Sequence, residues 1–347
     1  MNKYSLSNFF NNLFDWVDQF RIKDSQCYFS LKSNCQVCSL YGLTDMIYNL
    51  VIPNQLTEFF SKNNDIEKKK WILQIQSFQN PKTGWFKDTY FDINFRTPLT
   101  GQWEHATAFA TSALKLLGAQ PKYELKFLNK LTSQKKVEKW LRSRPEWGLF
   151  FWPGSHRGGG IASIIAILDI NKVPYRDFFK SYFDWLDKKA DPEVGYWRLG
   201  WNHKFKKRLS KHELGGSVHY YGIYEFLDHP LPFPEKIIDS TLLLQNEKGL
   251  WDGEVSYCID FDAVFCLLRA QKLVKDYRRE EIKNAIIKYL DYVIPSLNDT
   301  QFLFNRYLTT HKLTGCLEAI AEIYKVYPEL FEVPKPWIDT IDLTPWI

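Results

Sequence analysis

The chain has 347 residues, a formal charge of +5 and a hydrophobic share of 45%. That length holds one large domain or two ordinary ones around a sizeable apolar core. The charge is mild and no Lys/Arg stripe dominates, which excludes nucleic acid as the default partner. No run reaches the ~18 uncharged apolar residues that a membrane span needs.

The N-terminus, Met1-Asn2-Lys3-Tyr4-Ser5-Leu6, lacks an apolar core and a small-residue cleavage site, so it does not read as a secretory signal. Six cysteines in a chain this long read as reduced thiols, and the expected compartment is the cytoplasm. Cys35-x-x-Cys38 has the spacing of a metal or redox motif. With only Cys27 nearby, buried thiols are the simpler reading.

From Ser7 to Tyr327 the sequence alternates between amphipathic helices and apolar, charge-poor ones. Six of the apolar runs open on a polar cluster: Tyr41-Gly42-Leu43-Thr44-Asp45, Glu104-His105 (after Trp103), Ser155-His156-Arg157, Ser217-Val218-His219-Tyr220, Asp260-Phe261-Asp262 and Thr310-His311. They recur at intervals of roughly 40 to 65 residues, a period typical of helical-pair repeats. Runs such as Ala106 to Leu117 and Gly158 to Leu168 are nearly free of charge and read as buried inner helices. Between them lie amphipathic outer helices, such as Asp177 to Lys188 and Ile282 to Val293. Each outer helix ends in a turn rich in Gly or aromatics. Gln245-Asn-Glu-Lys-Gly249-Leu-Trp251 is the clearest; Gln79 to Trp85 and Asp191 to Trp197 are its relatives. Glu146-Trp147-Gly148, Cys27-Tyr28-Phe29 and Gln301 to Phe304 are looser versions. Glycine supplies the positive φ that ends a helix, and the aromatic packs the turn on its neighbour.

Six such pairs predict an all-α fold, an (α/α)6 toroid of six outer/inner helix pairs over residues 1–333. An open helical solenoid is the alternative, because sequence gives pairs but not closure. Residues 334–347, with three prolines, predict a tail packed on the outside. Strand should be scarce and confined to short turn hairpins.

The Gln-x-x-x-Gly-x-Trp turn before a buried helix resembles the repeat of terpenoid cyclases and protein prenyltransferase β subunits. The resemblance covers most of the chain as architecture, with one turn matching well and two in part. In protein prenyltransferases an Asp-x-Cys and a later His at inner-helix starts hold zinc. Asp260-Phe-Asp262 and His311 stand at comparable places, with Asp262 where the family has its cysteine. Gly215-Gly216-Ser217-Val218-His219 is similar to the segment from which those enzymes present a His to a diphosphate. Triterpene cyclases carry Asp-x-Asp-Asp at such a helix start; here Ala263 follows Asp262. The resemblance implies an isoprenoid substrate and acid/base or metal-assisted chemistry.

Side by side, the six helix openings would meet at one mouth. The catalytic candidates are His105, His156, His219, Tyr220, Asp260, Asp262 and His311. Tyr41, Asp45, Trp103, Glu104, Arg157 and Trp251 are the candidates for substrate binding. Paired carboxylates can divide into proton donor and acceptor, or chelate a hard cation. If a divalent metal such as Zn²⁺ or Mg²⁺ binds, Asp260, Asp262 and His311 are the expected ligands. Ser155-His156-Arg157-Gly158-Gly159-Gly160 reads either as an anion-binding helix start or as close helix packing. His203, His212 and His229 look like ordinary loop residues, and Lys204 to Arg208, with Lys211, like a solvated loop or an anion-holding rim. The aromatic share of 17% suits carbocation stabilisation or sugar stacking equally. A carbohydrate lyase, epimerase or hydrolase, acting on an oligosaccharide, is therefore the rival enzyme. A helical-repeat binding protein is the non-enzymatic alternative.

Overall fold

The structure, a computed structural model, describes residues 3–23, 28–63, 66–88, 101–131, 133–144, 147, 151–169, 173–199 and 208–347. These residues are predominantly helical and the fold is all-α. In chain order the helices are α1 (Ser7–Asp18), α2 (Leu40–Val51), α3 (Leu56–Asn63), α4 (Ile66–Ser77), α5 (Gln102–Leu116), α6 (Gln134–Arg142) and α7 (Phe151–Asp169). They continue with α8 (Val173–Lys189), α9 (Lys211–Phe226), α10 (Pro234–Leu242), α11 (Cys258–Leu273), α12 (Arg279–Asn298), α13 (Thr300–Arg306) and α14 (Thr310–Val326). No helix among the described residues is long and apolar enough to cross a membrane.

The six charge-poor runs fall on α2, α5, α7, α9, α11 and α14. Each of these core helices packs against the next in chain order, and α14 packs back against α2. Burial follows composition. All twelve residues of α2 are buried; most are apolar, and its polar Asp45 and Asn49 are bonded to α14. The long amphipathic α12 instead buries Ile282, Ala285, Ile286, Tyr289, Leu290, Val293, Ile294 and Leu297, one face at three- and four-residue spacing.

The repeat turns show what each of their residues does. Gly249 has φ +89°, and a Cβ there would lie 2.5 Å from the Lys288 carbonyl oxygen. The Gln245 side-chain amide donates to the carbonyls of Gly249 and, in the next repeat, Ala285, both at 2.8 Å. Gln79 repeats this with Gly84 (3.0 Å) and Tyr123 (2.8 Å). The turn tryptophans are equally regular. The indoles of Trp147, Trp197 and Trp251 donate to the carbonyls of Leu141, Leu186 and Thr241, each at or just past the C-terminal part of the preceding amphipathic helix. Each adds a second bond to a carbonyl near a helix end that also accepts a backbone amide, from Arg144, Ala190 and Leu244 respectively. Trp251, expected to contact substrate, is committed to this task.

Three expectations change. Helix α7 begins at Phe151 and α9 at Lys211, so His156 and His219 lie inside helices and not at their openings. The Pro and Gly residues that read as breakers are tolerated for local reasons. Pro153 sits in the first turn of α7. Gly158 and Gly159 let α9 approach: added Cβ atoms would lie 2.3 Å from Tyr220 Oη and 2.5 Å from the His219 carbonyl oxygen. Strand, second, is scarce as expected, with antiparallel bridges Arg21–Phe29 and Gln79–Phe86 across two turns, but among the described residues no hairpin grows into a sheet. The single sheet among the described residues pairs Tyr4–Ser5 with Phe331–Glu332 in parallel, joining the two ends of the chain. Third, the C-terminal segment does not stay outside. Trp337 packs on Phe10 and the Ile338 amide donates to the Ile52 carbonyl. Beyond that point Asp339 pairs with Arg269 of α11 and Lys325 of α14, and the amides of Thr340 and Ile341 donate to Glu318 of α14. Tyr48 of α2 donates to the Trp346 carbonyl at 2.5 Å, and Trp346 is buried.

Candidate functional site

Every core helix contributes to one cavity of about 580 Å³. Tyr41 comes from α2, His105 from α5, His156 from α7, His219 from α9, Asp262 from α11 and His311 from α14. Leu31, Trp152, Val218, Phe261, Phe265 and the C-terminal Ile341, Pro345, Trp346 and Ile347 make most of the remaining wall apolar. The structure thus brings together all four histidines singled out in the sequence. Ring centroids are 4.0 Å apart for His105 and His156, 4.9 Å for His156 and His219, and 6.3 Å for His105 and His311.

Three of the histidines are oriented by a partner on Nδ1. His105 Nδ1 lies 2.6 Å from Tyr41 Oη. His219 Nδ1 lies 2.6 Å from Ser155 Oγ, whose own proton goes to the Trp152 carbonyl at 2.6 Å. Ser155 must therefore accept, so His219 carries its proton on Nδ1 and keeps a lone pair on Nε2. His311 Nδ1 lies 3.2 Å from Asp45 Oδ1, and Thr310 Oγ1 donates to the other oxygen at 2.9 Å. Asp45 is fully buried and stands behind His311, an orienting carboxylate and not a group in contact with a ligand.

The electrostatics divide these groups. Burial, with the other three histidines, holds His105 well below the ordinary imidazole range. Burial and the charge of His311 bring His219 down to about 3. At His311 burial also pulls downward, but the charge and hydrogen bond of Asp45 more than reverse it, so its pKa is raised. Burial, helped by Asp260, pushes Asp262 well above the usual carboxyl range. Burial thus favours the protonated form of Asp262. Among the described residues it has no hydrogen-bond or ion-pair partner, although it lines the cavity.

Other candidates have different tasks. Asp260 accepts from the amides of Trp251 (2.7 Å) and Tyr257 (3.1 Å), which fixes the turn before α11. Burial raises it to about 7 against those bonds. Its orientation keeps it out of the cavity wall, so the D-x-D pair is split. Tyr220 turns outward and stacks on Trp147. Trp103 is exposed, with Lys87 Nζ 3.7 Å from its ring centroid. Glu104 and Arg157 also lie outside the lining. The expected ligands Asp260, Asp262 and His311 do not converge, and among the described residues no three His, Cys, Asp or Glu side chains are placed to hold a metal ion.

Cys38 is disulfide-bonded, contrary to the expectation of reduced thiols throughout, whereas Cys35, Cys258, Cys266 and Cys316 are free. Cys258 lines the cavity. His229 pairs with Asp187 at 2.9 Å, and Lys211 with Asp252 at 2.8 Å. Cys27, Glu146, Gly148, His203 and residues 204–207 lie outside the described residues. Sequence reasoning missed Trp346, Ile341, Gln102, Tyr257 and Lys312 as lining residues. Helical spacing could have found Phe261 and Phe265, one turn apart beside Asp262. Nothing in the sequence places Trp346. No protein-family model, curated protein or solved structure matches the chain.

Proposed function

We propose that the six helix pairs close as an (α/α)6 toroid whose central cavity is the active site of a terpenoid-cyclase-like enzyme acting on an isoprenoid. The return of α14 onto α2 and the pairing of the chain ends support the closure. One observation carries the functional reading: an unpartnered Asp262, its carboxyl pKa raised by burial, shares an otherwise largely apolar cavity with an Asp45–His311 pair.

In this reading Asp262 is the acid and His311 the base. A carboxyl held above its usual pKa is too weak an acid to favour a bare alkene, so the substrate presents an oxygen, as an epoxide or an allylic alcohol. Asp262 gives its proton to that oxygen. The C–O bond breaks with its electron pair going to oxygen, and the aromatic faces of Phe261, Phe265 and Trp346 steady the resulting cation. A proton leaves the carbon skeleton for His311 Nε2, the nitrogen not engaged by Asp45. A sugar fits less well. Each hydroxyl buried without a partner costs about 1–3 kcal/mol, and the wall is mostly apolar.

The test is thermal-shift screening of isoprenoid epoxides, allylic alcohols and diphosphates beside acidic oligosaccharides, followed by product analysis of the compounds that stabilise. Asp262→Asn and Asp45→Asn should keep binding and lose turnover. Stabilisation by oligosaccharides alone would overturn the substrate class, and full turnover by Asp262→Asn would overturn the mechanism.

A further inference from the structure

The chain itself supplies part of the cavity wall. Trp346 is 2% exposed and stacks on His219, with centroids 4.8 Å apart and planes at 24°. It meets His105 edge-on at 5.7 Å and His156 at 6.2 Å. Among the described residues it makes no ring contact with His311, the base in the reading above. Trp346 thus packs on three of the four histidines and leaves His311 clear of its ring.

The segment bearing this indole is pinned along its length. Asp339 is tied to Arg269 and Lys325, Glu318 takes the Thr340 amide at 2.7 Å, and Tyr48 takes up the Trp346 carbonyl. Gly222 of α9 leaves room beside it: an added Cβ would lie 3.3 Å from the Pro345 carbonyl oxygen. Among the described residues the buried indole Nε1 has no acceptor. A buried donor without a partner costs free energy, so the ring is held by packing, and its position bounds the cavity.

We propose that Trp346 is a specificity-determining residue: its indole forms the floor of the cavity and sets the longest apolar chain that the site accepts. This rests on the reading of the substrate as an isoprenoid. Ile341, which also lines the cavity, belongs to the same floor. Substrate atoms beyond the floor have no space, and those short of it leave apolar wall uncovered.

The experiment is calorimetric titration of the intact protein with a homologous series of primary alkanols. In the native protein each added methylene should tighten binding about fourfold until the chain meets the indole, after which affinity levels off. Trp346→Ala should move that plateau to longer alkanols, and Trp346→Phe should move it less far. If Trp346→Ala fails to fold, Trp346→Phe carries the test alone. A plateau at one unchanged chain length in the folded variants would overturn the assignment of the floor while leaving the apolar-substrate reading in place. Failure of every alkanol to bind the native protein would overturn both.

Discussion

Acid should destabilise this fold in part through His219. Its folded pKa of about 3 lies below the ordinary value of 6.5 because burial and the charge of His311 disfavour the imidazolium. The sign follows from linkage. Above pH 6.5 the ring is neutral in both states and its contribution is complete. As pH falls from 6.5 towards 3, the unfolded chain binds a proton that the folded chain refuses, and stability is lost. At pH 4 the gap spans about 2.5 pH units, or about 3 kcal/mol from this ring alone. His219→Phe keeps a ring against Trp346 and cannot titrate; Ser155 retains its bond to the Trp152 carbonyl. Urea unfolding at pH 7 and pH 4 measures the effect. The native protein should lose about 3 kcal/mol more than His219→Phe between the two pH values. Equal losses would show that His219 is not the buried neutral ring described here.

Three further substitutions test other parts of the structure. Asp262→Asn should stabilise the protein at neutral pH: the carboxyl's raised folded pKa gives a contribution present below pH 3.8 and lost as pH rises. The gain over the native protein should therefore appear at pH 7 and shrink at pH 3 in urea unfolding. Trp346→Ala should cost about 3 kcal/mol, the lower end for burying so large a ring, since the void joins an existing cavity and a buried unpaired N–H disappears with it. A loss below about 1 kcal/mol would mean that the segment is not packed among the core helices. Gln245→Ala removes two bonds, one to its own turn at Gly249 and one to Ala285 of the next repeat, and equilibrium unfolding should report a loss of about 1–3 kcal/mol.

Much of the architecture could be read from periodicity, because a helix buried on all sides must be apolar all round, and one at the edge must not. Hence the contrast between α2 and α12 was already written in the two kinds of run. The turn glycines were equally legible, since Gly84, Gly195 and Gly249 all take a positive φ. The role of the turn glutamine was not, because its second acceptor lies in the next repeat.

The candidate site divides along the same line. By itself the sequence determined which residue types recur at which interval, and so that His105, His156, His219, Asp262 and His311 fall on successive core helices. Tertiary packing decided the rest. It split Asp260 from Asp262, one capping a turn and the other facing the cavity. It placed Asp45 behind His311 across 266 positions of chain. It also drew Trp346 into the cavity, since Arg269, Lys325 and Glu318 bind the segment 339–341 and no local signal records that pairing. Local sequence sets the period and polarity of each helix because those depend on neighbours a turn away. Which side chains meet depends on which helices touch, and that is fixed only when the whole chain has packed.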